Sequence, residues 1–349
     1  MLTRRTLIQG ASALATLPLH MRGARAQSSD LVLMTWGGLW SDSLAKAVDA
    51  KFEAAYKTKV VHDRGAAPAQ RIPKAKLNAS DQKYDLLQFN DDLVPLATAQ
   101  GAIENLSPIS DFANAKNVYP SMIKGNWIAQ LFSAVGICYN TKEVKNPPTS
   151  WADLWRPEFR KRILVPASNH STGMYILPIG ALASGKDPKD VETGFDMLKR
   201  MADLEPIFAA DTDTMRNAFT SGEAVIGMLY KSQTFTVRDR GVPVSWVYPK
   251  EGAIPWIVGT SVAKGSKNKA MAEKYIDFTT DPLAQAGIAK AMNYSPSNRN
   301  TLSVLDPELR SRVEFTDREI EQFVNLDVDF MSQNQPKWLD RWNRIVMTR

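Results

Sequence analysis

Short apolar runs alternate with longer stretches of helical spacing all the way from Leu31 to Lys290. This alternation constrains the chain more than any other feature. A run too short for a helix, then an amphipathic helix, then another short run is the pattern of strand–helix–strand units around a mainly parallel sheet. Leu31-Val32-Leu33-Met34 predicts the first strand, and Asp42 to Tyr56 predicts a helix with Leu44, Val48, Phe52 and Ala55 on one face. Val60-Val61 and Tyr84 to Phe89 predict further strands. Leu93 to Gln100 predicts a helix closed by Gly101.

A second unit of the same kind is expected after Asn146-Pro147-Pro148. Ser150, with Asp153 three residues on, has the form of a capping box. Ile163-Leu164-Val165 predicts a strand. Val191 to Leu204 predicts a helix with Phe195, Leu198 and Met201 on one face, and Met215 to Thr220 another. Ala224 to Leu229, Val244 to Tyr248 and Ile254 to Val262 follow as apolar runs, then helices around Ala270–Phe278 and Leu283–Lys290. No internal repeat or low-complexity segment interrupts the order. A chain of 349 residues exceeds what one small core organises, so two lobes are expected.

The amino terminus carries an export signature. Arg4-Arg5 precede an apolar run, Ala11 to Leu17, and Ala24-Arg25-Ala26 supplies a small-x-small cleavage site. Residues 1–26 are therefore expected to be a twin-arginine signal peptide, with the mature chain starting at Gln27. The run is far short of the ~20 residues that span a bilayer. No Cys follows the cleavage site, so the expected product is periplasmic, soluble and without a lipid anchor. The signal removes four arginines and no acid from a formal charge of +6, leaving +2. That balance, with no Lys/Arg cluster, argues against a nucleic-acid partner. The single Cys138, inside the apolar stretch Ala134–Tyr139, excludes an internal disulfide and reads as a packing residue.

Five stretches carry a resemblance: Trp36-Gly37-Gly38-Leu39-Trp40, Ser150 to Phe159, Ser221 to Met228, Pro249 to Trp256, and more weakly Tyr294-Ser295-Pro296-Ser297-Asn298. In this order and spacing the chain resembles the periplasmic solute-binding proteins of ABC importers, the group that includes polyamine and ferric-ion binders. The resemblance implies a type II periplasmic-binding-protein fold. It would have two α/β lobes, each a mixed, mainly parallel sheet flanked by helices, joined by a hinge of two or three crossing segments. Lobe one would comprise 27–135 and 257–305, and lobe two 136–256 and 306–349. A small solute would be enclosed in the cleft by hinge closure and delivered to an ABC permease of the inner membrane. The chain would act as a monomer, without cofactor or metal.

The residues at strand ends are the candidate contacts, because ligands of open α/β sheets bind outside the carboxyl ends of strands. Trp36 follows the first strand, and the Gly37 and Gly38 amides suit close approach to an anion. Trp40 reads as packing within its own lobe. Asn90 is the preferred contact after the strand ending at Phe89, while Asp91 and Asp92 serve equally well as helix caps. Ser168, Ser171 and Thr172, in the loop Ser168–Gly173, stand at a helix start that favours an anionic group. Asp211, Thr212 and Asp213 precede another helix, where ligand contact and capping are equal readings. Tyr230 and Lys231 end the strand Ala224–Leu229, and Trp256 heads the segment that crosses back.

In the polyamine binders the positions matching Tyr230 and Trp256 are aromatic, whereas the ammonium-gripping acids match Ser168, Ser171 and Val258 here. Their loss, with Lys231 nearby, points to a carboxylate, phosphonate or amino-acid-like solute; the alternative is spermidine or putrescine. The adjacent tyrosine pair of the ferric binders is missing, which argues against iron. The enzyme reading finds no G-x-S-x-G, H-E-x-x-H or Walker loop. Of the two histidines after the signal, His62 and His170, the second lies in the candidate loop without a catalytic companion.

Overall fold

The computed structural model describes residues 30–347; the expected signal peptide lies outside them. Among the described residues, eleven strands join in one mixed sheet. They are β1 (Leu31–Met34), β2 (Val60–Asp63), β3 (Leu86–Asn90), β4 (Ile123–Lys124), β5 (Trp127–Asn140) and β6 (Ile163–Pro166), then β7 (Ile207–Ala209), β8 (Ile226–Tyr230), β9 (Val244–Val247), β10 (Ile254–Val262) and β11 (Ser295–Pro296). The main path runs β2-β1-β3-β10-β5-β8-β6-β7, with β4, β9 and β11 pairing onto β5. The two ends of this path are parallel: β2 and β3 flank β1, and β7 and β8 flank β6. At the centre β10 runs antiparallel to β3 and β5, and β5 antiparallel to β8. The parallel ends follow from strand–helix–strand crossovers, which need a helix between neighbours.

Two large apolar cores lie along this sheet. The first gathers β1, β3, the first half of β5 and the helices Lys269–Thr279 and Pro282–Met292. The second gathers the rest of β5, β6, β8 and the helices Ile176–Ala183 and Val191–Asp203. A smaller third cluster packs on the opposite side of β6 and β8 and contains Cys138. All fourteen residues of β5 are buried, and core membership changes between Ala134 and Val135. It changes again between Ala253 and Ile254 at the start of β10, and a third time after Phe323. Three segments therefore pass from one core to the other.

The C-terminal region divides differently from the expected boundary at 305/306. Phe315 and Phe323 belong to the first core, stacking near Phe132, while Trp338 and Trp342 belong to the second. Large aromatic side chains mark the division, because each buries much apolar area in the core it joins. The helix Val328–Met347, which carries Trp338 and Trp342, has no counterpart in the sequence reading; Pro336 and a mixed charge pattern mask its period.

Local expectations mostly hold in the first lobe's elements. The helix predicted from Asp42 begins at Leu39 and contains a π turn at Ala45–Asp49, which shifts the buried face so that Ala55 is exposed rather than packed. Gly101 adopts φ +64° after the helix Val94–Ala99, a left-handed stop that glycine takes without strain. The Ser150–Asp153 capping box is present but opens a short 3₁₀ turn, Trp151–Trp155. Ser150 Oγ hydrogen-bonds Glu251, whose other oxygen accepts the Trp151 amide at 3.1 Å; the Trp151 indole donates to Gly252 O at 2.8 Å. Two motifs a hundred residues apart in sequence are thus one joint.

Candidate functional site

The carboxyl ends of β1 and β3 and of β6 and β8 face a cleft between the two cores, as the parallel connections require. A cavity of about 520 Å³ opens in it. Its first wall is the turn after β3, where Asn90, Asp91 and Asp92 begin the 3₁₀ turn Asp91–Leu93. Ser171 and Tyr175 come from the second core's side. Pro255 and Trp256 of β10 form the back, and residues 320–329 of the third crossing segment form the base.

The polar groups at the first wall are unusual. Asp92 Oδ1 and Asn90 Nδ2 are shut off from solvent with no protein hydrogen-bond partner. Burial, and then the neighbouring Asp91 charge, push the Asp92 carboxyl up to about 6. Burial also raises Asp91, against the pull of Lys124. Lys124 Nζ donates to the Asp91 backbone oxygen at 3.1 Å and lies 5.5 Å from the Trp127 ring. Asp327 and Asp329 add to the lining, Asp327 being paired with Lys189 at 2.6 Å. Acids outnumber bases around this cavity, so its field favours a cation.

An aromatic wall closes one side. Trp256 lies 5.8 Å from Tyr230, 5.4 Å from Tyr294, 6.3 Å from Trp40 and 6.5 Å from Trp36. Tyr230 is buried with its hydroxyl toward Ser171, and burial raises its pKa. Trp36 packs on Trp40 at 4.9 Å and carries the Arg71 guanidinium 4.2 Å over its ring. Arg71 is itself buried, donating to Ala66 O and Gln88 O, and burial lowers its pKa to about 10. Trp40 is fixed by its indole, which donates to Thr35 Oγ1 and Gln88 Oε1, both at 3.1 Å.

Of the residues singled out from sequence, Asn90, Asp91, Ser171 and Trp256 line the cavity together, and Trp36 and Tyr230 stand behind Trp256 in the aromatic wall. Gly37 and Gly38 are exposed off the cavity wall; Gly38 has φ +61° and starts the helix at Leu39. Ser168 is half-buried away from the lining. Thr172 is buried, and its amide and hydroxyl hold His170 Nδ1 at 3.1 and 2.8 Å. Nε2 of the same ring meets Thr212 Oγ1 at 3.3 Å, and burial lowers the His170 pKa. Asp211 caps the helix Thr212–Thr220, and Asp213 is exposed and paired with Arg216. Val258 is buried in the first core.

Lys231 points away from the cavity. Its Nζ donates to Glu314 O and sits 4.1 Å over Phe315, and burial lowers its pKa to about 8. Replacing Lys231 by Met is expected to leave solute affinity unchanged in titration calorimetry, because the side chain packs on Phe315 and not on the cavity. Cys138 has its thiol pushed up to about 12 by burial, as suits a packing residue. Tyr175, Lys124 and the segment 320–329 were not foreseen as lining. Tyr175 was visible only as part of a helix start, and the other two come from segments without an apolar pattern.

A two-core α/β protein with an acidic, aromatic-backed cavity where three segments cross is built to enclose a small polar solute. The chain belongs to the bacterial extracellular solute-binding proteins, whose family model matches residues 47–316. It is 26% identical over 306 residues to the spermidine/putrescine-binding periplasmic protein of Escherichia coli K12, covering 85% of this chain and 86% of that one. It is 22% identical over 329 residues to the gamma-aminobutyric acid-binding protein of Pseudomonas aeruginosa, covering 92% of each. The solved structure of the Atu4243-GABA receptor superposes with a TM-score of 0.77 at 23% identity, over 91% of this chain and 97% of that one. The fold is that of type II periplasmic binding proteins. Among the described residues, no helix is long and apolar enough to cross a membrane.

Proposed function

We propose that this protein captures a small solute bearing a protonated amine in the cavity beside Asp91 and Asp92 and presents it to an ABC permease after export to the periplasm. The observation that carries the reading is the Asp92 side chain: half-buried, with Oδ1 shut off from solvent and without a protein partner, on a cavity backed by Trp256. An acid in that state gains most from a cation, through a charge-assisted hydrogen bond and the π faces beside it. The spermidine/putrescine and gamma-aminobutyric acid binders among its relatives both take ligands with amines, which supports the same reading. The sequence-based preference for an anion rested partly on Lys231, and that support falls away once Lys231 lies under Phe315. The two cores, at 27–135 with 257–305 and at 136–256, act as the lobes. The third crossing lies near Phe323, and the chain works as a monomer without a lipid anchor or catalytic step.

Thermal melting with a panel of diamines, amino acids and monocarboxylates tests this. An amine at 100 times its dissociation constant is expected to stabilise the fold by ~2.7 kcal/mol, and no shift with any amine is the result that defeats the reading. The pH dependence has a diagnostic sign. Because the folded pKa of Asp92 is raised to about 6 from 3.8, its contribution to the solute-free fold is present at low pH and lost as pH rises through 6. Amine binding needs the ionised form and strengthens over that same rise. Solute-free stability and affinity should therefore move in opposite directions between pH 5 and pH 7.

A further inference from the structure

Two side chains that line the cavity, Ser171 and Tyr175, stand on the connection between β6 and the helix Ile176–Ala183. Ser171 is exposed and meets the Tyr230 hydroxyl. The backbone there doubles back in two turns. The His170 amide donates to Ala167 O at 2.9 Å, and the Gly173 amide donates to His170 O at 2.9 Å. A Cβ on Gly173 would run into Ala167 O, so the close return needs glycine.

Both lining positions hang on Thr172, which is buried between them. Its carbonyl accepts the Tyr175 amide at 3.1 Å. Its own amide donates to a side chain two residues back, Nδ1 of His170, at 3.1 Å, and its hydroxyl lies 2.8 Å from the same nitrogen. An amide only donates, so Nδ1 is an acceptor and the ring proton belongs on Nε2, which meets Thr212 Oγ1 at 3.3 Å. The ring thus closes an Asx-type turn, with an imidazole nitrogen in place of a carboxamide oxygen, and ties it to the start of the helix Thr212–Thr220.

A second ring proton undoes this arrangement. On Nδ1 it sets two donors against each other at the Thr172 amide. Burial disfavours the charged ring, and Asp211 is the charge that pulls the other way. The Asp211 carboxylate is taken up by the Thr214 amide and hydroxyl, at 2.8 and 2.9 Å, while Asp213 and Arg216 on the same helix pair with each other. From Ala167 to Tyr175 the loop carries no Asp, Glu, Lys or Arg.

We propose that His170 is the positioning residue of this cavity wall: its neutral ring, accepting from the Thr172 amide and donating to Thr212, holds Ser171 and Tyr175 at the solute, and protonation releases them. The inference rests on the reading of this cavity as the solute site.

His170→Asn keeps an acceptor for the Thr172 amide and does not titrate, whereas His170→Ala keeps no acceptor. In calorimetry at pH 7.5, His170→Ala is expected to bind putrescine and 4-aminobutanoate about tenfold more weakly than the parent, and His170→Asn no more than about threefold more weakly. From pH 7.5 down to pH 5 the parent's affinity should fall more steeply than that of His170→Asn, whose remaining slope belongs to Asp92. Should His170→Ala melt far lower, the parent against His170→Asn carries the comparison. NMR on the solute-free chain adds a readout independent of any solute. The Thr172 amide should be protected from hydrogen exchange at pH 7.5, lose that protection below pH 6.5, and keep it throughout in His170→Asn. Equal affinity of His170→Ala and the parent, or one pH slope shared by the parent and His170→Asn, overturns the positioning role while the parent's binding keeps the amine reading standing. If no amine binds the parent, the amine reading falls, and the exchange data decide His170: a Thr172 amide unprotected at pH 7.5, or protected unchanged down to pH 5, overturns its role.

Discussion

Replacing Asp92 by Asn is expected to weaken amine binding by about a hundredfold. Removing one member of a buried charge pair costs on the order of 2–5 kcal/mol, and each ~1.4 kcal/mol is a factor of ten in affinity. The change is nearly isosteric, so cavity shape and the Trp256 stack remain. Without solute the variant should be no less stable than the parent. It removes an acid that burial and Asp91 both disfavour in its charged form, and leaves an amide that tolerates burial better. The rise of affinity through pH 6 should flatten at the same time. Titration calorimetry at pH 5 and 7.5 with a diamine and an ω-amino acid reads all three effects. Unchanged affinity for both would place the amine elsewhere in the cleft.

Trp151→Ala should be the most destabilising single change among those considered. Trp151 is fully buried in the second core, and its indole donates to Gly252 O at 2.8 Å beside the start of β10. Loss of such a side chain costs ~3–5 kcal/mol, and leaving a buried carbonyl unpaired adds to that. For a protein this large the melting temperature should drop by roughly 6–10 °C. Trp151→Phe, which keeps most of the packing and loses the hydrogen bond, should cost well under half as much. Glu251→Gln should fall in the same range as Trp151→Phe, because Glu251 holds Ser150 and the Trp151 amide. A melting curve for Trp151→Ala that overlays the parent would contradict the joint between these two motifs.

That joint shows how far residue order alone reaches. The Ser150–Phe159 and Pro249–Trp256 stretches are recognisable one by one, and their spacing carries the family resemblance. Their contact through Glu251 and Gly252 is invisible until β5 and β10 lie side by side. Strand and helix positions were legible because a local period encodes them: β1 and β10 fall on Leu31–Met34 and Ile254–Val262 as expected. β5 was glimpsed only as the apolar stretch Ala134–Tyr139, although it runs from Trp127 to Asn140, since Gln130 and Ser133 break the apolar run. Those polar residues are buried and meet distant partners: Gln130 Oε1 accepts from Gln88, while its Nε2 has no partner, and Ser133 Oγ accepts from the Ser232 amide.

What the sequence by itself determined is therefore what depends on neighbours in the chain: the α/β alternation, helix stops such as Gly101, the capping box at Ser150, and the placing of candidate contacts at strand ends. What only the tertiary structure decided is the environment of each charge. Asp91 and Asp92 looked no more telling than Asp211 and Asp213 in sequence, where each pair heads a helix. Folding leaves Asp211 and Asp213 in water, as a cap and an exposed partner of Arg216. It brings Asp91 and Asp92 against Trp256 and the crossing segment, where burial raises both. Lys231 loses its place among the candidate contacts for the same reason: its ammonium packs over Phe315 and donates to Glu314 O, off the cavity wall. A charge acts through its solvent exposure and its distances to other charges, and both are set by segments far away in the chain.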